Sequence, residues 1–291
     1  MKFKKIILLI LVGVITLSGL TGCFGSKKIE KAKILTTTYG LQYLVENLVN
    51  NPNNVSTIYP AGVNTDEYTL TDKQINTFAK KNSIFVYNGL TKERKIALNL
   101  INTNKNLVVV DCTKGMSIIN DDEEVFISPS NYLMLAQNMK NDFLEQTTSR
   151  VTKEEIEKKY EKLKLTISTY DASLKEIASL AKNKTIVVGD DAFLFLEKYG
   201  FEVLSVEEKE NGAKNDMQAA KEAIKNKVVS NIFVLSSNSN SDNIKKIEEL
   251  GATKVTVTSM TNLSEADKNA NVTYETIMNN FIEAIRTEVY N

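Results

Sequence analysis

The sequence predicts an α/β protein of two lobes, each a parallel sheet flanked by helices, with one long α-helix bridging them. Three observations carry that expectation. Short apolar, β-branched runs alternate with stretches of helical spacing over residues 33–150, and the same alternation returns over 184–291. Between the two blocks, residues 151–183 are dense in Lys, Glu and Ala and contain neither Gly nor Pro. Apolar side chains recur there at broadly three-to-four spacing: Ile156, Tyr160, Leu163, Leu165, Ile167, Tyr170, Leu174, Ile177, Leu180 and Ala181. Unbroken, that helix is roughly 45 Å long.

The chain opens with a different kind of segment. Lys2, Lys4 and Lys5 precede a run of 15 residues, Ile6 to Leu20, that carries no charge. That is the layout of a secretory signal peptide, and the run is shorter than the roughly 20 residues a membrane-spanning helix needs. It ends in Leu20-Thr21-Gly22-Cys23, which reads as a bacterial lipoprotein signal with cleavage before Cys23. Residues 1–22 are therefore set aside from the fold, Cys23 is the expected lipid attachment point, and 23–32 is expected to be a tether to the membrane.

In the first lobe, β-rich runs at 34–39, 55–59, 83–87 and 107–112 are expected strands, and 41–50, 72–81 and 92–102 expected helices. Ser128-Pro129 offers a cap followed by proline at the first helical position, opening a helix that runs to about Glu145. In the second lobe the strands are expected at 185–190, 202–206, 231–235 and 254–258. The helices fall at 192–199, 216–226, 242–250 and 274–289. Gly200 and Gly251 stand just past helix ends, where a left-handed closing residue is wanted.

Composition narrows the chemistry. Lys plus Arg and Asp plus Glu each number 36, and removing the three leader lysines leaves 33 bases against 36 acids. That balance argues against a nucleic-acid partner. Arginine occurs only as Arg94, Arg150 and Arg286, so forked clamps for phosphate or carboxylate are scarce. Of two cysteines, only Cys112 lies beyond the leader region, so no internal disulfide is expected, and its place after Val108-Val109-Val110 marks it as buried. Histidine is absent, which excludes His-dependent nucleophilic catalysis and every imidazole metal site. No Gly-x-Ser-x-Gly nucleophile motif is present either, and the adjacent Asp190 and Asp191 point apart at a helix entrance, so no enzyme is expected.

Several local strings then carry a resemblance. Tyr59-Pro60-Ala61-Gly62 and Val63-Asn64-Thr65-Asp66-Glu67-Tyr68-Thr69-Leu70-Thr71, with the later Phe85-Val86-Tyr87-Asn88-Gly89, form the first set. Asp122-Glu123-Glu124-Val125-Phe126-Ile127-Ser128-Pro129 is the second, and Val187-Val188-Gly189-Asp190-Asp191-Ala192-Phe193 the third. Together with the layout, these resemble the metal-ion (zinc and manganese type) solute-binding lipoproteins of ABC transporters over nearly the whole mature chain. In that register Asp66, Glu124 and Asp190 stand where the family has metal-ligand histidines. The fourth ligand, a carboxylate in the family, falls near Thr261, where Thr261 or Ser259 offers only a neutral oxygen.

The resemblance implies an extracytoplasmic, lipid-anchored binding protein at the bacterial cell membrane. It would capture a divalent metal cation between its lobes and deliver it, as a monomer, to an ABC transporter permease. The implied metal ligands are Asp66, Glu124, Asp190 and Thr261, and Cys23 carries a diacylglycerol-type lipid. Carboxylates and hydroxyls without imidazole favour manganese or another hard cation over zinc. The alternative is the same fold without metal transport, serving as a surface adhesin or accessory binding lipoprotein.

Overall fold

The computed structural model describes residues 29–117, 121–208 and 216–291. The leader and Cys23 lie outside these. In the first lobe, β1 (Ile34–Thr36), β2 (Val55–Thr57), β3 (Ile84–Tyr87) and β4 (Val108–Asp111) form one parallel sheet in the order β2-β1-β3-β4. The second lobe repeats it: β5 (Thr185–Val188), β6 (Glu202–Ser205), β7 (Asn231–Leu235) and β8 (Thr253–Val257) run in the order β6-β5-β7-β8. Every pairing is parallel, with Ile34 opposite Val55 and Ile84 in the first sheet and Val187 opposite Leu204 and Ile232 in the second. β1, β3 and the last three residues of β5 are fully buried, as strands covered on both faces must be.

Helices α1 (Tyr39–Leu48), α2 (Asp72–Lys81), α3 (Glu93–Thr103), the short α4 (Glu124–Ile127) and α5 (Pro129–Glu145) complete the first lobe. Thr71 and Gln74 close a reciprocal capping box that starts α2. Ser128 does occupy the cap of α5 with Pro129 at its first position, but its side chain makes no capping hydrogen bond and lies 3.3 Å from Ser130 Oγ. The expected long helix is α6 (Arg150–Leu180), 31 residues, started by Ser149 Oγ accepting from Thr152 N at 3.3 Å. Beyond it lie α7 (Met217–Lys225), α8 (Asp242–Glu248), α9 (Glu265–Asn269) and α10 (Tyr274–Tyr290). The stretch expected as a helix at 192–199 is a 3-10 helix, Asp191–Tyr199. Gly200 and Gly251 adopt left-handed backbone, with φ of 93° and 99°.

The start of the described chain departs from the expected tether. Ile29 and Ala32 are buried, and Glu30 accepts hydrogen bonds from Thr147 Oγ1 at 2.9 Å and Thr152 Oγ1 at 2.7 Å. Residues 29–32 are thus packed into the first lobe, because Ile29 finds apolar cover that a free tether would deny it.

The lobes share one core rather than merely touching. Buried side chains of α1, α5, α6 and α10 belong to a single apolar cluster that continues into both sheets. At its centre Tyr132 stacks on Tyr274 with centroids 4.2 Å apart, and Tyr43 and Tyr170 close around the same ring at 5.6 and 5.8 Å. Backbone hydrogen bonds also cross between the lobes: Gly40 N donates to Met260 O at 2.8 Å, Tyr39 N to Thr261 O at 3.1 Å, and Gly62 N to Leu263 O at 3.1 Å.

Candidate functional site

Both sheets direct the carboxyl ends of their strands at one cleft between the lobes. The order of strands reverses beside β1 and β5, and ligands of such sheets gather beyond these reversal points. The cleft has a volume of about 750 Å³. Thr38, Tyr59 and Asn88 reach it from the first sheet, and Asp190, Glu207, Leu235 to Asn238 and Ser259 from the second. Among the described residues its lining includes eight carboxylates, on Asp66, Glu93, Asp121, Asp122, Glu123, Asp190, Glu207 and Asp267, against one lysine, Lys92.

Asp190 is buried at 3 % exposure just after β5, and both its oxygens are engaged. Oδ2 accepts from Leu235 N at 2.7 Å and Oδ1 from Asn238 Nδ2 at 2.8 Å. Burial pushes its carboxyl up to about 7 despite those hydrogen bonds, and the charges of Glu207 and Asp121 push the same way. Asp66 instead lies at the exposed rim, paired with Lys92 at 3.2 Å. Thr261 lines the cleft with its hydroxyl 2.8 Å from Ser259 Oγ.

Glu124 does not line the cleft. Its Oε1 accepts from Asn131 Nδ2 at 3.0 Å, along the start of α5. The carboxylate that enters is the preceding one: Glu123 crosses to the second lobe and accepts from Ser237 Oγ at 2.7 Å and Ser259 Oγ at 2.6 Å. Successive residues at a helix start point about 100° apart, so one step along the acidic run moves a side chain from cleft to flank. Glu123 thereby sets an acid beside Ser259 and Thr261, where the second lobe supplies none. Burial raises its carboxyl to about 7, against the two serine hydroxyls that lower it.

Glu93 and Tyr59 were not legible as site residues. Glu93 is 6 % exposed; its Oε2 accepts from Thr37 Oγ1 at 2.5 Å and Asn88 N at 2.9 Å. Burial raises it too to about 7. Asp121 and Asp122 are shifted upward in the same way, by burial and then by neighbouring acids that include Asp66. Among the described residues, no group of three or more His, Cys, Asp or Glu side chains converges to hold a metal ion. The expected trio Asp66, Glu124 and Asp190 is therefore not gathered at one point.

Residues 34–288 match the family model of ZnuA, the periplasmic component A of the zinc-uptake complex. The chain belongs to the ZnuA family. It is a divergent member, since it has no histidine at all. Solved structures of the same fold include the Zn(II)-bound ZnuA-like domain of Streptococcus pneumoniae AdcA, 21% identical, with a TM-score of 0.72, covering 90% of this chain and 100% of that one. The metal-dependent lipoprotein YcdH of Bacillus subtilis is 19% identical with a TM-score of 0.70, covering 89% of this chain and 99% of that one. The periplasmic zinc-binding protein TroA of Treponema pallidum is 16% identical with a TM-score of 0.68, covering 89% and 99%. No curated protein matches the sequence.

ZnuA-family proteins are extracytoplasmic metal-binding components of ABC uptake systems rather than enzymes. Among the described residues, no helix is long and apolar enough to cross a membrane.

Proposed function

We propose that the protein is an extracytoplasmic solute-binding lipoprotein that captures a divalent metal cation in the inter-lobe cleft and passes it to an ABC transporter permease. The observation that carries this reading is the lining of eight carboxylates against one lysine among the described residues. Such a concentration of acids, with Glu93 and Asp190 buried among them, is costly without a cation, and a bound cation relieves the mutual repulsion. With no imidazole in the chain, the ligands are oxygens, which favours manganese or a comparably hard ion over zinc. The candidate ligands are Asp66, Glu123 in place of Glu124, Asp190, and the hydroxyls of Ser259 and Thr261. Asp66 would have to leave Lys92 to join them. Inductively coupled plasma mass spectrometry and calorimetry on the purified protein test this, with manganese expected to bind more tightly than zinc. No heat and no thermal shift with any divalent ion would sink the assignment.

Anchoring at Cys23 belongs to the same reading. Labelled palmitate should be incorporated into the parent protein and not into Cys23→Ala, and only the parent should partition into detergent. A second reading, an adhesin or accessory lipoprotein without metal transport, is favoured by the lack of three converging ligands among the described residues. Under it, Asp66→Ala combined with Glu123→Gln leaves attachment to host matrix unchanged.

A further inference from the structure

We propose that the end of the first lobe opposite the cleft docks on an anionic lipid surface, through Lys31, Lys33, Lys80, Lys81 and Lys105. The inference rests on the anchoring at Cys23 proposed above and adds the face that meets the bilayer. It does not depend on which solute the cleft takes.

The first support is a separation of charge within the lobe. Strands of a parallel sheet all enter from the same end, so the segments leading into β1, β2, β3 and β4 share one face. Those segments, 31–33, 50–57, 77–83 and 102–107, hold five lysines and no Asp or Glu. All five lysines are exposed, and among the described residues none is paired with an acid. Lys80 and Lys81 close α2, where a helix end favours cations, but Lys33 and Lys105 have no such local reason. Asp66, Glu93 and Asp121 to Glu123 stand at the opposite, carboxyl ends of the same strands, around the cleft. Near an anionic surface, attraction of the lysines and repulsion of those acids turn the lobe the same way.

Backbone and side-chain contacts hold this face together. Ser83 N donates to Lys33 O at 2.9 Å, Val108 N to Ser83 O at 3.0 Å, and Asn104 Nδ2 to Ala79 O at 2.8 Å. Between the segments lies a depression of about 300 Å³, with Lys33 and Lys81 on its walls beside Asn53, Asn54 and Thr77. Two ammonium groups with neighbouring amide and hydroxyl donors suit the phosphate of a lipid headgroup.

The second support is where the chain enters the fold. Ile29 is buried in the first lobe and Lys33 leads directly into β1, so the chain arrives at this same face. Six residue steps separate Ile29 from Cys23, and fully extended they span at most about 22 Å. A lipid on Cys23 therefore keeps the lysine face close to the bilayer, and Lys27 and Lys28 place two more cations on the way. Attraction to a charged bilayer acts over about 8–10 Å at ordinary salt, a gap that so short a connection lets the face close.

Amine acetylation read by mass spectrometry tests the surface. The full-length, lipid-modified protein is carried by vesicles of phosphatidylcholine alone, or of phosphatidylcholine and phosphatidylglycerol in equal parts. The protein should float with both kinds of vesicle. Lys33, Lys80, Lys81 and Lys105 should react at least fivefold more slowly on the phosphatidylglycerol vesicles, whereas Lys245 in the second lobe reacts equally on both. In about 1 M salt, where the screening length falls to about 3 Å, the protection should disappear. Lys33→Glu combined with Lys81→Glu should remove it at Lys31, Lys80 and Lys105 without changing flotation or the thermal midpoint. Equal reactivity on both vesicles overturns the docking face and leaves the anchor standing. Flotation with phosphatidylglycerol vesicles alone, with the same lysines protected, supports the face and overturns the anchor. Flotation with neither overturns both, and the same protection from inorganic phosphate without vesicles overturns the lipid surface in favour of a soluble anion.

Discussion

Asp190 does two jobs that pull in opposite directions. It faces the cleft, yet its two oxygens hold the exit of β7 by accepting from Leu235 N and Asn238 Nδ2. Asp190→Ala leaves the Leu235 N–H buried and unpaired, and a urea melt should show a loss of about 1–3 kcal/mol. Any loss of ligand binding in that variant must therefore be read against its stability. Glu93 yields a prediction about pH. Its carboxyl rises from the ordinary 4.5 to about 7 in the folded protein, so the folded state holds a proton that the unfolded state has released. Stability contributed by the neutral acid is present below pH 4.5 and declines as pH rises toward about 7. Glu93→Gln, which stays neutral, should flatten that part of the profile by an amount on the order of 1–3 kcal/mol, read from thermal midpoints between pH 5 and 7.5. The places of Asp66 and Asp190 could be read from strand ends and family strings. Glu123 could not be told from Glu124, because adjacent acids in one run differ only in the phase of a four-residue helix. Glu93 looks like an ordinary acid in the first turn of a helix, and only tertiary packing makes it a buried one.

The long helix α6 shows where periodicity succeeds and where it overreaches. Its large buried apolar positions, apart from the small Ala178 and the polar Thr152 that are buried too, are Ile156, Tyr160, Leu163, Ile167, Tyr170, Leu174 and Ile177. These steps alternate four and three, the narrow seam of a helix that meets its partners along one stripe. Leu165 and Leu180 count toward the apolar total in the sequence but fall off that stripe, and they are 69 % and 62 % exposed. Paired substitutions separate the two kinds of leucine. Leu163→Ala, at 4 % exposure, should cost about 2–5 kcal/mol in a denaturant melt, since it opens a cavity between α6 and its neighbours. Leu165→Ala should stay within about 0.5 kcal/mol of the parent. The existence and type of the strands and long helices were legible for the same reason, as each buries a regular stripe or face. Short pieces were not: α4 and α9 have four and five residues, too few to display a period. The 3-10 form of Asp191–Tyr199 likewise leaves no mark in a pattern that suits either helix.

The way the lobes are joined limits how they can move. Hinges need a few residues able to absorb a large backbone change, and α6 crosses between the lobes as 31 continuous helical residues without Gly or Pro. A second junction opposes opening independently of that helix. Tyr39 and Gly40 donate backbone hydrogen bonds to Thr261 and Met260, Asn262 Nδ2 donates to Pro60 O and Val63 O, and Glu123 accepts from Ser237 and Ser259. A wide separation of the lobes would break these bonds and expose the tyrosine cluster around Tyr274, which lies in the shared core. Each lost hydrogen bond costs about 0.5–1.5 kcal/mol, and burial of an aromatic ring contributes about 1.5–3 kcal/mol. A wide opening would have to give up all of these contacts together. We therefore expect the solute to be admitted by movement of the rim around Asp66 and Lys92 rather than by swinging lobes. Small-angle scattering curves of the free and ligand-saturated protein should superimpose, while hydrogen exchange should slow at 62–68 and 121–124 on binding. A change in radius of gyration of the size seen for hinge closure would contradict this. Protection spread evenly over α6 would contradict it as well, because it would mean that the bridge itself rearranges.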